Sequence, residues 1–194
     1  MIGKIINFVK NKKRIKSLKK SMPDMLYGYY QKGVFLKDTR VGSATTIVAK
    51  ENLILEDNVF IGQYNFIEAS NGITINEGCQ ITNYISIVSH SSHNSIRYYG
   101  KEYRTTKDLK GYVRGSVEIG KYSFIGPHVT IMPNTILGKG CIVSAFSLVK
   151  GEFPDFSIIA GNPAKIVGST LEKDKSFLNN NPELQELYNA WAQK

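Results

Sequence analysis

An aliphatic side chain recurs at every sixth position in the second half of this 194-residue sequence, and the register holds without a slip from residue 119 to residue 149. The members of the series are Ile119, Ile125, Ile131, Leu137, Val143 and Val149. Smaller side chains stand four positions later in most turns, at Ser123, Val129, Thr135, Cys141 and Ser147. A period of six fits neither an α-helix, whose period is about 3.6 residues, nor a strand that alternates at every second residue. It predicts short extended segments joined by turns, with β-branched side chains that point inward and stack from coil to coil, as in a parallel β-helix.

A weaker copy of the repeat lies upstream and slips twice by two residues. Its three registers are Val41, Ile47 and Leu53, then Leu55, Ile61, Ile67 and Ile73, and then Ile75, Ile81 and Ile87. The two cysteines, Cys79 and Cys141, both fall at the small inward position. Their spacing matches neither a disulfide framework nor a zinc site. We therefore expect both cysteines to fill space in the core.

The composition fits one soluble domain, since the chain is 42% hydrophobic and 21% charged and domains commonly hold about 100–200 residues. It contains no run of about 18 apolar residues that could span a membrane. The first 20 residues do not fit a secretory signal, because their apolar part is short and the positive charge follows it. We therefore expect a cytoplasmic protein. The net charge of +9 favours anionic partners, but no nucleic-acid-binding motif with interleaved aromatic residues accompanies it, and no nucleic-acid partner is predicted.

The segment from Ile119 to Gly168 contains the motif IIAGNPAKIV at residues 158–167. With the hexads, it resembles the hexapeptide-repeat acyltransferases, in particular the maltose/galactoside and polysaccharide O-acetyltransferase branch. The resemblance implies an all-β fold, a single-stranded left-handed parallel β-helix with an extruded loop and short terminal helices. The left hand comes from the resemblance alone, since crossovers between parallel strands are usually right-handed. The resemblance also implies a homotrimer with active sites between subunits, and acetyl-CoA as the acyl donor without a metal.

The sequence divides into three parts on this basis. Residues 1–40 form a basic N-terminal helical segment, residues 41–168 form the β-helix with a loop at 89–115, and residues 169–194 form a C-terminal helix. Ile2, Ile5, Ile6 and Val9 mark one face of the first helix, and eight of the first 20 residues are Lys or Arg. This segment is expected to cap the β-helix or pack in the trimer, with peripheral contact to an anionic membrane as the alternative. At the other end, Asn181 and Pro182 predict a helix start, and Leu184, Leu187, Tyr188 and Trp191 predict a stripe that packs on a β-helix.

The hexads stop between Val88 and Gly115, where the sequence is polar, aromatic and basic and holds two of the three histidines. Long loops without a pattern of their own are often functional. Members of the family carry the catalytic histidine at or near the start of such a loop, where a neutral imidazole can take a proton from an attacking hydroxyl. By resemblance, His93 lies nearest the catalytic position, and His90 is the alternative. Without the resemblance, each is simply a surface histidine.

The resemblance also suggests residues for the two substrates. Along the C-terminal coils, main chain would contact the pantetheine arm of CoA, and lysines would meet its phosphates. The predicted cofactor-binding residues are Phe124, which replaces a frequent Trp of the family, Gly126, Ser144, Ala145, Lys150 and Lys165. The saccharide would meet amides, a cation and flat aromatic surface. The predicted acceptor residues are Asn65, Asn83, Arg97 and Tyr99, with Tyr98, Tyr103 and Arg104 as further loop candidates.

The leading functional hypothesis is an acetyl-CoA-dependent O-acetyltransferase that acts on a saccharide hydroxyl, such as a surface-polysaccharide or lipopolysaccharide unit, by direct transfer in a ternary complex. N-acetylation of an amino sugar on the same scaffold and a non-catalytic β-helix used for binding are the alternatives. A zinc-dependent carbonic anhydrase of the same fold places its ligands within the coils, whereas His90 and His93 lie in a loop. The third histidine, His128, is expected to be an ordinary side-face residue, or else to line the subunit cleft.

Overall fold

The computed structural model describes residues 2–193, with side chains from Lys10 to Gln193. It consists mainly of short β-strands, with helices at both ends and one in the middle. Single 3₁₀ turns follow at Lys50–Asn52, Gly100–Arg104 and Pro182–Leu184. The elements are α1 (Ile2–Ser21), β1 (Met25–Gln31), β2 (Val34–Gly42), β3 (Thr46–Val48), β4 (Leu53–Leu55), β5 (Phe60–Ile61), β6 (Phe66–Glu68), β7 (Ile73–Ile75), β8 (Gln80–Ile81), β9 (Ser86–Val88), β10 (His90–Ser91), α2 (Ser95–Tyr99), β11 (Val113–Arg114), β12 (Val117–Ile119), β13 (Phe124–Ile125), β14 (Thr130–Leu137), β15 (Ile142–Val143), β16 (Leu148–Phe153), β17 (Ser157–Gly161), β18 (Ala164–Ser169), α3 (Thr170–Asn180) and α4 (Gln185–Ala192).

The strands between residues 40 and 161 stack in parallel on three faces and form a β-helix. The first face contains the end of β2 and strands β5, β8, β13, β15 and β17. The second contains β3, β6, β9 and the beginnings of β14 and β16, and the third contains β4, β7, β12 and the ends of β14 and β16. All six aliphatic residues of the unbroken hexad series are at most 1% exposed. The predicted β-helix with inward-pointing hexads is therefore confirmed.

The two-residue slips of the upstream repeat have a single structural cause. Each strand of the third face turns two side chains inward, as Leu53 and Leu55 do, so both registers belong to the same coil. Paired positions on the first face, Val41, Ile61 and Ile81, lie 20 residues apart, whereas Ile125 and Val143 lie 18 apart. The two extra residues of the early coils lie at the corner between the second and third faces, which we call the second corner.

The long interruption of the hexads lies at this same second corner. The chain leaves the second face after β9 and returns to the third face at β12. The ends of the inserted segment are held together because β10 and β11 pair antiparallel, with His90 opposite Arg114. Between these strands lie α2 and a 3₁₀ turn. The insertion thus begins and ends in ordered backbone directly above the coil.

The two cysteines are completely buried, as expected for core residues. Burial raises the pKa of the Cys79 thiol to about 12 and also raises the pKa of Cys141. The Cys79 thiol donates to the carbonyl of Gly120, with sulfur and oxygen 3.1 Å apart. Both thiols are therefore protonated, and they act as small core side chains.

The N-terminal region differs from the predicted helical segment of residues 1–40. Helix α1 ends at Ser21, and β1 and β2 then form an antiparallel hairpin whose turn residues Lys32 and Gly33 both have positive φ angles. The end of β2 continues as the first strand of the first face. The hairpin forms because two β-prone runs flank a turn-forming Lys-Gly pair. The predicted apolar stripe of Ile2, Ile5, Ile6 and Val9 lies outside the side chains that the structure describes.

The C-terminal region contains two helices, α3 and α4, rather than one. Pro182 occupies the first turn after Asn181 as predicted, but the Asn181 side chain donates back to the carbonyl of Phe177 and does not cap the following helix. The Trp191 ring packs on Tyr122 and Phe156, with centroids 4.8 and 5.8 Å away, which confirms that this helix packs on the β-helix of its own chain. None of the helices described is long and apolar enough to cross a membrane.

Candidate active site

The first residue of the insertion's hairpin, His90, contacts a buried carboxylate of the coil below. Glu68 ends strand β6, which pairs with β9, so its side chain lies directly beneath the point where the chain leaves the coil. The His90 Nδ1 lies 2.7 Å from Glu68 Oε2 and 3.2 Å from Ser70 Oγ. The Glu68 side chain is 7% exposed and that of His90 is 33% exposed. A histidine that is open to solvent is thus anchored through one nitrogen to an inaccessible carboxylate.

Glu68 is ionised despite its burial. Burial raises its pKa, but hydrogen bonds from Ser70 and Ser89 and the charge of His90 outweigh this effect, so its pKa lies below the ordinary value. The Ser89 hydroxyl donates to Oε2 over 3.0 Å, and the Ser70 amide donates to Oε1 over 3.0 Å. Because an ionised carboxylate only accepts hydrogen bonds, its contact with Nδ1 requires a proton on that nitrogen. Neutral His90 is then bare at Nε2, which makes no hydrogen bond within the described residues.

The lowered pKa of Glu68 makes a prediction about stability. A group whose pKa is lower in the folded state stabilises the fold above its ordinary pKa, and this contribution is lost as the pH falls. We expect Glu68→Gln to lower the free energy of unfolding by about 1–3 kcal/mol at pH 7, because buried hydrogen-bond donors lose their charged acceptor. The deficit should shrink at pH 4, as measured by urea denaturation at both pH values. Glu152→Gln, at an exposed position on the third face, is the control and should change stability little at either pH. A deficit for Glu68→Gln that is equal at both pH values would contradict the assignment.

Two side chains of the insertion complete the surroundings of His90. The Tyr112 ring stacks on the His90 ring at a centroid distance of 5.5 Å and an interplanar angle of 21°. The Arg114 guanidinium lies over the other ring of this pair, 4.4 Å from the centroid of Tyr112. Burial raises the pKa of Tyr112, so the ring carries no charge at neutral pH. The imidazole therefore has a fixed orientation, and a cation lies nearby.

His93, the residue favoured by the sequence, has different surroundings. Its Nδ1 lies 2.7 Å from the hydroxyl of Ser91, and its carbonyl accepts a hydrogen bond from the Arg97 guanidinium. The residue is exposed, and no carboxylate contacts it. Both histidines can exchange protons, but only His90 has a partner that fixes its tautomer and stabilises its charged form.

The predicted acceptor residues do not gather at His90. The Arg97 guanidinium binds the side chain of Asn94 over 2.6 Å, and the Tyr99 hydroxyl accepts from the Lys110 amide over 3.0 Å, so both residues hold the insertion together. The buried Asn65 amide donates to the carbonyl of Thr82. The Asn83 side chain accepts from the Gln63 amide over 2.7 Å. Asn65 and Asn83 lie at the corner between the first and second faces, which we call the first corner.

Three of the predicted donor contacts also lie along the first corner. Gly126 approaches the next coil so closely that a Cβ atom would lie 2.8 Å from the backbone nitrogen of Ala145. The neighbouring Ser144 amide donates to the carbonyl of Ile159, and Phe124 on the first face is 42% exposed. Lys150 and Lys165 are exposed, on β16 and β18 respectively. Within one chain, the first corner is therefore separated from His90 by the width of the second face.

The first corner carries a stack of four aromatic rings that was not predicted. Successive ring centroids in the series Tyr64, Tyr84, His128 and Phe146 are 5.2, 5.0 and 4.9 Å apart, with interplanar angles of at most 7°. Each ring belongs to a turn residue with φ near +60°, a conformation that non-glycine residues rarely adopt. His128 is thus an exposed member of this ridge rather than an ordinary side-face residue. The ridge is defined here by these four residues.

The first corner is also the corner without formal charge. Its turns, residues 42–45, 62–65, 82–85, 126–129 and 144–147, contain no Lys, Arg, Asp or Glu. The corner between the third and first faces, formed by residues 56–59, 76–79, 120–123, 138–141 and 154–156, has at least one charged residue in every turn. The exposed fractions of the ridge include 51% for Tyr84 and 72% for Phe146. An uncharged row of exposed rings is typical of a surface that is covered by a partner.

Four residues around the proposed base were not recognised from the sequence, namely Glu68, Ser70, Tyr112 and Arg114. The available signal was the 20-residue length of the early coils, which places Glu68 one coil below Val88 and two residues from His90. No group of three or more His, Cys, Asp or Glu side chains that could hold a metal ion occurs within residues 2–193.

Comparison with known proteins agrees with this architecture. Residues 113–151 match the family model "Bacterial transferase hexapeptide (six repeats)". The putative lipopolysaccharide biosynthesis O-acetyl transferase WbbJ of Escherichia coli K12 is 32% identical over 117 residues, which are 59% of each chain. The dTDP-4-amino-4,6-dideoxy-D-glucose acyltransferase of Escherichia coli is 28% identical over 71% of this chain and 68% of its own. The match thus spans less than two thirds of the length of WbbJ.

A solved structure supports the same fold. The N-acyltransferase AntD from Bacillus cereus, in a complex with dTDP and coenzyme A, superposes with a TM-score of 0.54 at 21% identity, over 73% of this chain and 88% of its own. Coil architecture and matched repeat together define the chain as a hexapeptide-repeat β-helix protein. The predicted resemblance to the hexapeptide-repeat acyltransferases is thereby confirmed.

Proposed function

We propose that the protein is an acetyl-CoA-dependent O-acetyltransferase that acts on a saccharide hydroxyl, with His90 as the general base. The contact between His90 Nδ1 and buried, ionised Glu68 carries this proposal. An imidazole in this tautomer offers its bare Nε2 to an acceptor hydroxyl. An orienting carboxylate also stabilises the imidazolium that forms when the proton is taken. This choice replaces the sequence-based preference for His93.

The proposed reaction is a direct transfer in a ternary complex. The acceptor hydroxyl loses its proton to His90 Nε2 as its oxygen attacks the thioester carbonyl. The new C–O bond forms, the C–S bond breaks, and the proton on His90 passes to the departing thiolate. No nucleophilic side chain is needed because the thioester is already activated, which agrees with the burial of both cysteines. Arg114, near the imidazole, would favour a developing negative charge.

The donor is proposed to lie along the first corner, where the predicted contacts Gly126, Ser144 and Ala145 follow one another along the coils. The exposed amines of Lys150 and Lys165 would bind its phosphates. AntD, which shares the fold, is described in a complex with coenzyme A, and this supports a coenzyme A donor here. We also propose that the coil is left-handed and that residues 89–115 stand out from it, as in the family.

The active site is proposed to lie between copies of the chain in a homotrimer. Within one chain, His90 and the donor contacts lie on different corners, and a neighbouring copy would bring the first corner beside the second. The ridge repeats at 4.9–5.2 Å, close to the spacing of about 4.8 Å between strands. A second β-helix of the same pitch lets all four rings make contact at once.

A lipid-linked saccharide, such as a lipopolysaccharide unit, is the proposed acceptor. The name of the relative WbbJ supports an O-linked product in lipopolysaccharide biosynthesis. The second candidate is N-acylation of an amino sugar, which the name of the other Escherichia coli relative favours. The basic helix α1 would keep the protein near an acceptor held in a membrane.

Incubation with acetyl-CoA and a panel of saccharides tests the proposal. We expect thiol release that depends on the acceptor, and an acetyl group that mild alkali removes, as an ester requires. An alkali-stable amide product would favour the N-acyl alternative. Absence of both coenzyme A binding and acetyl transfer for every acceptor would support a non-catalytic β-helix instead.

A further inference from the structure

The positive charge of the protein is concentrated in its first helix. Helix α1 carries eight Lys and Arg residues and no acidic residue, and the whole chain has a net charge of +9, so everything outside the helix contributes only one net positive charge. All residues from Lys10 to Ser21 are exposed. A 20-residue helix of this composition is about 30 Å long and presents a concentrated positive field to an anionic surface.

The same helix exposes aliphatic side chains beside these cations. Ile15, Leu18 and Met22 follow at intervals of three and four residues, which places them on one side of the chain as the helix ends. They are 52%, 54% and 64% exposed. A narrow apolar stripe with lysines beside it is typical of helices that lie in the interface of a bilayer. Nucleic acid would leave such a stripe without a partner.

The hairpin that follows the helix adds a second exposed apolar surface. Tyr27, Tyr30, Val34 and Phe35 are 78%, 71%, 60% and 50% exposed. The rings of Tyr30 and Phe35 pack against each other at 4.8 Å but are otherwise open. Tyrosine rings are enriched at the level of lipid headgroups, because one end of the ring is apolar and the other is polar. Three residues separate this hairpin from α1.

We infer that helix α1 and the hairpin β1–β2 dock the protein on an anionic lipid bilayer. Lysines of the helix would contact negatively charged headgroups, while the aliphatic stripe and the tyrosines of the hairpin insert at the headgroup level. The biological purpose of the docking rests on the proposed function, since it would bring the site to a lipid-linked acceptor. The binding itself does not depend on acetyl transfer and can fail independently of it.

Co-sedimentation of the full-length protein with vesicles tests this inference. We expect binding to vesicles of phosphatidylcholine with about one third phosphatidylglycerol, little binding to pure phosphatidylcholine, and weaker binding as salt rises. Replacement of Lys13, Arg14, Lys16 and Lys20 by Gln should weaken binding by roughly 100-fold or more, because each cation near the surface contributes appreciably. The matched control replaces four exposed lysines elsewhere, Lys37, Lys101, Lys173 and Lys175, by Gln and should bind like the wild type.

A charge-preserving variant separates lipid from other polyanions. Ile15→Ser with Leu18→Ser keeps every cation and should lower vesicle affinity by roughly tenfold or more, while any binding to duplex DNA stays unchanged. Both variants should acetylate a water-soluble saccharide as the wild type does if the proposed function is right. Equal loss of binding in the control variant would overturn the inference. So would unaltered vesicle binding after the serine substitutions together with equally tight binding to DNA.

Discussion

His90→Ala should lower turnover of acetyl-CoA and a saccharide acceptor by about 10²–10⁴-fold, because removal of a general base leaves the acceptor hydroxyl without a proton acceptor. The affinity for coenzyme A should stay close to that of the wild type, since the predicted donor contacts lie on the first corner. Steady-state kinetics with both substrates varied, together with calorimetric binding of coenzyme A, measure the two effects separately.

His93→Ala is the matched control for this experiment. His93 lies three residues away in the same insertion, but its Nδ1 contacts only the hydroxyl of Ser91. Its removal should therefore change turnover less than about fivefold by this account. If His93→Ala abolished activity while His90→Ala kept it, the sequence-based preference for His93 would be right and the role of Glu68 would be structural.

Tyr84→Asp should convert the proposed homotrimer to monomers. The substitution places a charge in the middle of the ridge, between the rings of Tyr64 and His128, and burying that charge without a partner against another copy is costly. The fold itself should tolerate it, because residue 84 is 51% exposed and Asp adopts positive φ angles more readily than Tyr. Sedimentation-velocity analysis or light scattering after size-exclusion chromatography measures the mass.

Asn58→Asp is the control for the ridge variant. Residue 58 has the same backbone conformation, with φ of 59°, and is exposed at the charged corner between the third and first faces. It should leave the mass and the activity unchanged. A wild-type protein that is monomeric and active, or a Tyr84→Asp variant that stays trimeric, would contradict the proposed role of the ridge.

Mixing of two inactive variants tests whether the site lies between copies. His90→Ala removes the base, and Ala145→Trp is expected to block the donor surface at the first corner. If one copy supplies the base and its neighbour the donor surface, mixed trimers contain some sites with both parts intact, so activity should return after the two variants are co-expressed. No recovery would indicate that each chain forms its own complete site.

The hexad pattern predicted the β-helix because its signal is local. Each inward side chain, such as Ile125 or Val143, is buried by residues at a fixed spacing, so six-residue counting suffices to identify the core. The hairpin before the coil was missed even though the Lys32-Gly33 pair between aromatic runs is a turn signal. The basic composition of the preceding residues had suggested that the helix continued through this region.

The candidate site could be predicted only in part. The insertion and its two histidines were visible as a break in the repeat. The partner of His90 was not, because Glu68 reaches it only through the pairing of β6 with β9, one coil apart. The ring stack was hidden for a similar reason, since Tyr84 and His128 are 44 residues apart and adopt a backbone conformation that their residue types disfavour. Contacts between coils depend on coil length, and the two additional residues at the second corner change that length.

Nitrogen-15 NMR of the three histidines tests most directly whether Glu68 and His90 form the proposed base. Spectra of the wild type and of the His93→Ala and His128→Ala variants assign the His90 signals. By this account, neutral His90 carries its proton on Nδ1 and has an unprotonated Nε2, and Glu68→Gln abolishes this preference. A neutral His90 that is protonated on Nε2, or a tautomer that does not respond to Glu68→Gln, would contradict the account.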